Sequence, residues 1–274
     1  MTNSRRRLAG ALAQHAASLA MAFVFVLPLA WMVAGSLRRV GLPPARTVDW
    51  LPRVAAWDNY LTIFQVVPLG RYALNSLAVA SAAVLITLVT ASWAGLAMAL
   101  ASPRWRQRWV RLAIGLLLVP ISALWLPRFV VFSWLQIIDT YGALLAPALM
   151  GSSPLFVLLF FWNYRRVPAE LFESARLDGA GPLALWRWIA LPLSGPTLVA
   201  VGILTFWLYW SDFIDPLLYL KSESLYTLPV GVQQLVSWAN FPLLLAASVV
   251  MTVPALLLFL GAQRYLLGEG WRSR

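Results

Sequence analysis

Long apolar runs broken by short charged stretches set the pattern of this chain. Residues 8–37 carry no charge between Arg7 and Arg38, and residues 72–103 carry none between Arg71 and Arg104. A third run follows Arg111 and meets Arg128, a fourth fills 140–164, a fifth 188–211, and a sixth centres on 242–263. About 20 mostly apolar residues in a helix cross a bilayer. The pattern therefore predicts six membrane helices, over roughly 14–37, 72–100, 111–134, 142–164, 193–219 and 242–264. The first run is too long for the h-region of a cleaved signal peptide, which points to a retained helix. The expectation is one all-α transmembrane domain over 1–274, with an outer loop at 38–71 and a cytoplasmic loop at 165–192.

Composition agrees with a membrane protein. Hydrophobic residues make up 61% and charged residues 11% of 274, with a mean hydropathy of +0.76. A soluble domain could not cover that much apolar surface. The charge of +11 would suggest nucleic acid on a soluble protein. Here its distribution matters more. With the N-terminus inside, 14 of the 21 cations fall on the cytoplasmic side, leaving a net +10 there and +1 outside. Six helices with both termini cytoplasmic satisfy that bias. The pair Arg38–Arg39 opposes it, in an outer loop long enough to be carried across.

Scarce residue types exclude much chemistry. The chain has no Cys and a single His, His15. It therefore offers no thiol nucleophile, no Cys-ligated zinc and no His-rich metal set. Its only lysine, Lys221, follows Leu220, so it has no Gly-Lys-Ser/Thr phosphate loop. No catalytic, metal or cofactor site is read from it.

The loop at 165–192 looks structured. Pro168 suits a first helical turn, and Glu170 lies near that positive end. Leu171, Phe172 and Ala175 share a face, Gly179 is placed to end the helix with a positive φ, and Gly181-Pro182 opens a second helix. An amphipathic helical pair of this kind suits docking in a groove on another protein, or lying on lipid headgroups.

Residues of this loop carry a family resemblance. Glu173-Ser174-Ala175, then Gly179, then Ile189-Ala190-Leu191-Pro192 resembles the EAA motif of ABC-importer permeases in every spacing. Ser174 stands where that motif usually has Ala. Asn75-Ser76-Leu77, Asp139-Thr140-Tyr141, Trp210-Ser211-Asp212-Phe213 and Thr227-Leu228-Pro229-Val230-Gly231 are similar to further motifs of the carbohydrate-uptake branch, in particular its smaller maltose-permease-type subunit. Phe161, where many relatives carry Arg, and a short tail after Tyr265 depart from the pattern.

The resemblance implies a type I ABC-importer permease fold. It implies a pore shared with a second permease subunit, a cytoplasmic ATPase dimer that hydrolyses ATP, and an extracytoplasmic solute-binding protein. Within the loop it implies a coupling role for Phe172, Glu173, Ser174, Ala175, Leu177, Asp178 and Gly179. Phe172, Ala175 and Leu177 would contact the ATPase groove, and Glu173 would pair with a cation there. Three further residues are candidates for the substrate pathway. Arg128 follows Pro127 in the outer half of the third span, where it either faces a wet interior or snorkels to the headgroups. Asp212 ends the fifth span, and Trp210 beside it could stack on a sugar ring or belong to an interfacial belt. The rival reading is a self-contained secondary transporter, which would need ion ligands at mid-membrane. The acids lie instead at the outer ends or in the loop.

Overall fold

The computed structural model describes residues 2–41, 54–236 and 241–267. Pro43, Pro44 and Pro52 of the expected outer loop lie outside them. The described residues are helical, with no β-strand among them. Five helical stretches are long and apolar enough to cross a membrane, and a bent pair would make a sixth.

The chain divides into two compact units. The first comprises Met1–Leu69 and Val232–Val253. It contains α1 (Thr2–Ser36), whose apolar part runs from Leu12, and α2 (Asn59–Val66). Asn59 ties the two together, donating from Nδ2 to the carbonyls of Ser36 (2.6 Å) and Arg38 (2.7 Å). Orphan carbonyls at the end of α1 are thereby satisfied. Ser36 Oγ meets the Tyr60 hydroxyl at 2.7 Å. Gly35 packs so closely on Leu245 that any Cβ there would collide with its side chain.

The second unit comprises Gly70–Gly231 and Pro254–Arg274. Its helices are α3 (Leu69–Leu100), α4 (Pro103–Leu117), α5 (Ser122–Trp134), α6 (Tyr141–Leu149), α7 (Pro154–Tyr164), α8 (Ala169–Leu177), the single turn α9 (Pro182–Ala184), α10 (Gly195–Trp210), α11 (Ile214–Tyr219) and α12 (Leu228–Gln233). Helix α13 (Phe241–Leu267) ends in it. Its core gathers Leu96, Phe156, Phe160, Tyr164, Phe172 and Leu185. Gly95 lets α3 approach α7: a Cβ there would lie 2.6 Å from Phe160 Cβ and 2.9 Å from the Phe161 nitrogen.

Three expected spans are not continuous helices. The third divides into α4 and α5, bent by 101°. Pro120 sits in that break; it has no N–H to continue the ladder, and its ring clashes with the preceding turn. The fourth breaks at 150–153, where Gly151 (φ 80°) and Ser152 (φ 57°) take left-handed backbone. Pro154 then opens α7, with Ser153 Oγ accepting from the Leu155 N–H at 3.3 Å. The fifth stops at Trp210 and resumes as α11 after Ser211–Phe213. In a bilayer such breaks persist only where protein or a wet cavity covers the freed polar groups. At the fourth span Thr90 Oγ1 donates to the Ala148 carbonyl (2.7 Å), and Thr87 Oγ1 meets Ser152 Oγ at 2.5 Å.

Candidate functional site

The loop between α7 and α10 is the first candidate. Helix α8 ends in two bonds, Ala180 N–H to the Ala175 carbonyl (2.9 Å) and Gly179 N–H to the Arg176 carbonyl (3.0 Å). With Gly179 at φ 88°, this is the left-handed stop that glycine provides without strain. Nothing lies within 4 Å of a Cβ placed there, so backbone conformation and not space selects glycine. The second leg is less regular than a second α-helix. After α9 the chain runs through a π-helical stretch, Leu185–Ala190, with Leu191 N–H bonded to the Trp186 carbonyl at 2.9 Å. Pro192 and Pro196 remove two donors just beyond, which weakens the α register there.

The loop is fastened to its own bundle. Phe172 is 4% exposed and Leu185 is buried beside it in the core. Trp186 Nε1 donates to Ser92 Oγ on α3 at 3.0 Å, and its ring lies 5.1 Å from that of Trp93. This corrects one expectation. Phe172 is not free to enter a groove on another protein, because its face of α8 buries the ring in this chain's core. Ala175 packs against that core too. The outward face carries Glu173, Ser174, Leu177 (89% exposed), Asp178 and Gly179. Glu173 makes no ion pair or side-chain hydrogen bond among the described residues, so its carboxylate is unspent.

A second site forms where the broken spans meet. A cleft of about 330 Å³ is lined by Trp125 and Arg128 of α5, Ser152 at the break in the fourth span, and Tyr209, Asp212 and Asp215 around the break in the fifth. Arg128 Nη1 lies 3.5 Å from Asp215 Oδ2, both side chains being largely covered. Asp212 Oδ1 accepts from the Asp215 N–H at 3.3 Å. The Tyr209 hydroxyl reaches Ser152 Oγ at 3.2 Å. Two carboxylates, one guanidinium, a hydroxyl pair and an indole thus surround one small volume. Such a lining can hydrogen-bond and stack on a polyhydroxylated ring.

Arg128 and Asp212 are brought together here. Trp210 is not: it is 3% exposed and stacks on Phe206 at 5.5 Å, among the buried residues. At 100° per residue, a helix that turns Tyr209 into the cleft turns Trp210 away. Sequence reasoning paired Asp215 with Asp212 but missed Trp125 and Ser152 as cleft partners. Ser152 in particular gave no signal beyond the Gly-Ser-Ser run that marks the break.

Other motif residues staple the loop after α11. Asp139 (φ 61°) accepts from the N–H groups of Lys221 and Ser222, both at 2.8 Å, and from Ser222 Oγ at 2.5 Å. These bonds hold its carboxyl below the ordinary value, the Ser222 hydroxyl contributing most. Asn75 Nδ2 donates to the carbonyls of Ser224 and Tyr226, both at 2.9 Å, and Ser76 Oγ accepts from the Leu228 N–H at 2.7 Å. Gly231 packs on the Tyr72 ring too closely for any Cβ.

Residues 91–267 match the family described as binding-protein-dependent transport system inner membrane component. The chain is 32% identical over 256 residues to the arabinooligosaccharides transport system permease protein AraQ of Halalkalibacterium halodurans, covering 90% of each chain. It is 27% identical over 267 residues to the lactose transport system permease protein LacG of Rhizobium radiobacter, covering 96% of each. Its fold resembles that of a chain in a bacterial ABC transporter involved in the import of the acidic polysaccharide alginate. The TM-score is 0.76 at 17% identity, over 94% of this chain and 96% of that one.

Proposed function

The chain belongs to the binding-protein-dependent transport system inner membrane component family, and from that premise we propose that it is one of two permease subunits forming the pore of an importer for a sugar or polyol. The whole of 1–274 serves as one permease domain of a bacterial inner membrane, with both termini cytoplasmic. A solute-binding protein delivers substrate from outside. ATP is hydrolysed on a separate cytoplasmic ATPase dimer, and this chain is not itself an enzyme.

The observation that carries the reading is the build of the 165–192 loop. An exposed face bearing Glu173 and Leu177 projects from a helix whose other face is locked into the bundle by Phe172. Such a helix transmits force as a rigid body. Glu173, Ser174, Leu177, Asp178 and Gly179 meet the ATPase, while Phe172 and Ala175 hold α8 to the spans it moves. The chemistry of the Arg128–Asp212–Asp215 cleft and the saccharides in the relatives' names support the substrate class. Trp210 supports the pathway from behind, under the wall that Tyr209 lines.

Uptake assays on the assembled complex test both sites. Glu173→Lys is expected to reduce substrate uptake by about tenfold or more while the chain stays in the membrane, since the charge faces outward. Wild-type uptake would sink the coupling role. Arg128→Ala is expected to change substrate-stimulated ATPase activity or its half-saturating substrate concentration. If both are unchanged, Arg128 is off the pathway.

A further inference from the structure

Helix α4 carries a pattern that neither the pore nor the coupling loop uses. Arg104, Arg108 and Arg111 recur at i, i+4 and i+7, and so share one face. Trp105, Trp109 and Leu112 do the same on the adjacent face. The three arginines, both tryptophans and Leu112 are exposed. The Arg108 guanidinium lies 5.1 Å from the centroid of the Trp105 ring, and Arg111 Nε donates to the Gln107 carbonyl at 3.2 Å. No Asp or Glu occurs between Asp58 and Asp139, and none of the three arginines is in an ion pair among the described residues.

Beside this cationic end runs an open apolar groove of about 430 Å³. Its walls include Ala97 and Met98 of α3, Trp109, Leu112 and Leu116 of α4, and Val157 of α7. It extends from Trp109, next to the arginines, to Met150 at the break in the fourth span. From Trp109 to Leu116 the helix rises about 10 Å, a length that suits part of an acyl chain. The groove is therefore charged at one end only, that of the helix terminus, and apolar along its length. That is the shape and polarity of a phospholipid with an anionic headgroup.

We infer that α4 and the groove beside it form a binding site for one anionic phospholipid, its phosphate on Arg104, Arg108 and Arg111 and one acyl chain between α3, α4 and α7. Basic pockets at the ends of membrane helices recognise lipid headgroups by this chemistry. Tryptophan at the interface fixes the depth of the helix end. The leaflet, though not the site, rests on the orientation proposed above; it is the cytoplasmic one.

The test is lipid retention and thermal stability of the detergent-purified complex that contains this chain. Phosphatidylglycerol is titrated against phosphatidylcholine, with bound lipid counted by native mass spectrometry. Phosphatidylglycerol is expected to raise Tm by at least about 2 °C more than phosphatidylcholine. The triple variant Arg104→Gln, Arg108→Gln, Arg111→Gln should lose that difference. Ala97→Trp should lose it too, because Ala97 is exposed in the groove and the indole fills it with all three arginines intact. Equal effects of the two lipids on the wild type would overturn the proposal. So would a preference that survives Ala97→Trp, which indicates diffuse headgroup attraction, or a cross-link from Ala97→Cys to another subunit, which puts protein in the groove. None of these readouts uses transport, so they stand or fall apart from the function proposed above.

Discussion

Single residues fix the loop after α11 through charge and backbone shape together. Asp139 takes positive φ and aims its carboxylate at three donors from Lys221 and Ser222. Hydrogen bonds to a carboxylate favour its charged form, which is why its pKa lies below the ordinary 3.8. The folded state therefore binds this proton less readily than the unfolded chain. The stabilisation is complete above the unfolded value and is lost as pH falls through the folded one. Protection of the amides at 220–228, taken relative to the intrinsic exchange rate at each pH, is expected to persist at pH 5 and to fall once the pH drops below the ordinary 3.8 toward the folded value. In Asp139→Asn exchange should already be fast at pH 5 and much less dependent on acid. A loop equally protected in that variant would remove Asp139 as its anchor. The motif Asp139-Thr140-Tyr141 could be recognised from sequence, but its purpose could not. Its partner lies 82 and 83 positions away, a distance that no local pattern reports.

Elements divide the labour between holding and presenting. Helix α8 has nine residues, and its fate depends on which face meets the bundle. Phe172→Ala removes a buried ring and is expected to destabilise the fold by roughly 3–5 kcal/mol, read as a lower Tm and a lower yield of membrane-inserted chain. Leu177→Ala removes an equally apolar but 89% exposed side chain. It should leave Tm within the scatter of wild type while weakening capture of the ATPase in pull-down. Loss of stability in Leu177→Ala, with none in Phe172→Ala, would reverse the assignment of faces. Periodicity placed α8 and its stop at Gly179 well, because amphipathic spacing and positive φ are local properties. It could not say whether the apolar stripe faces this chain or another. The spans show the same limit. Charge-free length revealed where each run lies, but the breaks at Pro120, Gly151–Ser152 and Ser211–Phe213 were invisible to it. Proline in a membrane helix can kink, end or merely decorate it, and only the contacts that cover freed carbonyls, such as Thr90 on Ala148, decide which.

At the scale of the whole molecule, the distribution of charge and the placement of the two sites must agree on sidedness. Fourteen of 21 cations fall to one side of the expected topology, and the 165–192 loop lies on that side. The outer cleft and the loop stapled by Asn75 and Asp139 lie toward the other, if the chain crosses an even number of times. An odd number of crossings would put the two termini on opposite faces and split the cationic clusters at Arg5–Arg7 and Arg264–Arg274 between them. The bent pair α4–α5 is the point at issue, because at 101° it is either one broken span or a re-entrant loop. If it is re-entrant, Arg111 and Gln136 lie on one face of the membrane. If it is a span, they lie on opposite faces. The absence of native cysteine allows a direct reading, since a single introduced thiol is the sole target of a membrane-impermeant maleimide. In intact cells whose outer barrier is opened, Glu223→Cys and Gln136→Cys are expected to label, whereas Arg166→Cys and Gln107→Cys should label only after the inner membrane is permeabilised. Labelling of Gln136→Cys and Gln107→Cys from the same side would make α4–α5 a re-entrant hairpin. The positive-inside argument would then hold for the termini only if another segment supplied the sixth crossing. With five spans, the coupling loop and the C-terminus could not both face the ATPase side while the N-terminus stays there. A common side for both termini and the 165–192 loop, as proposed above, would therefore require α4–α5 to cross.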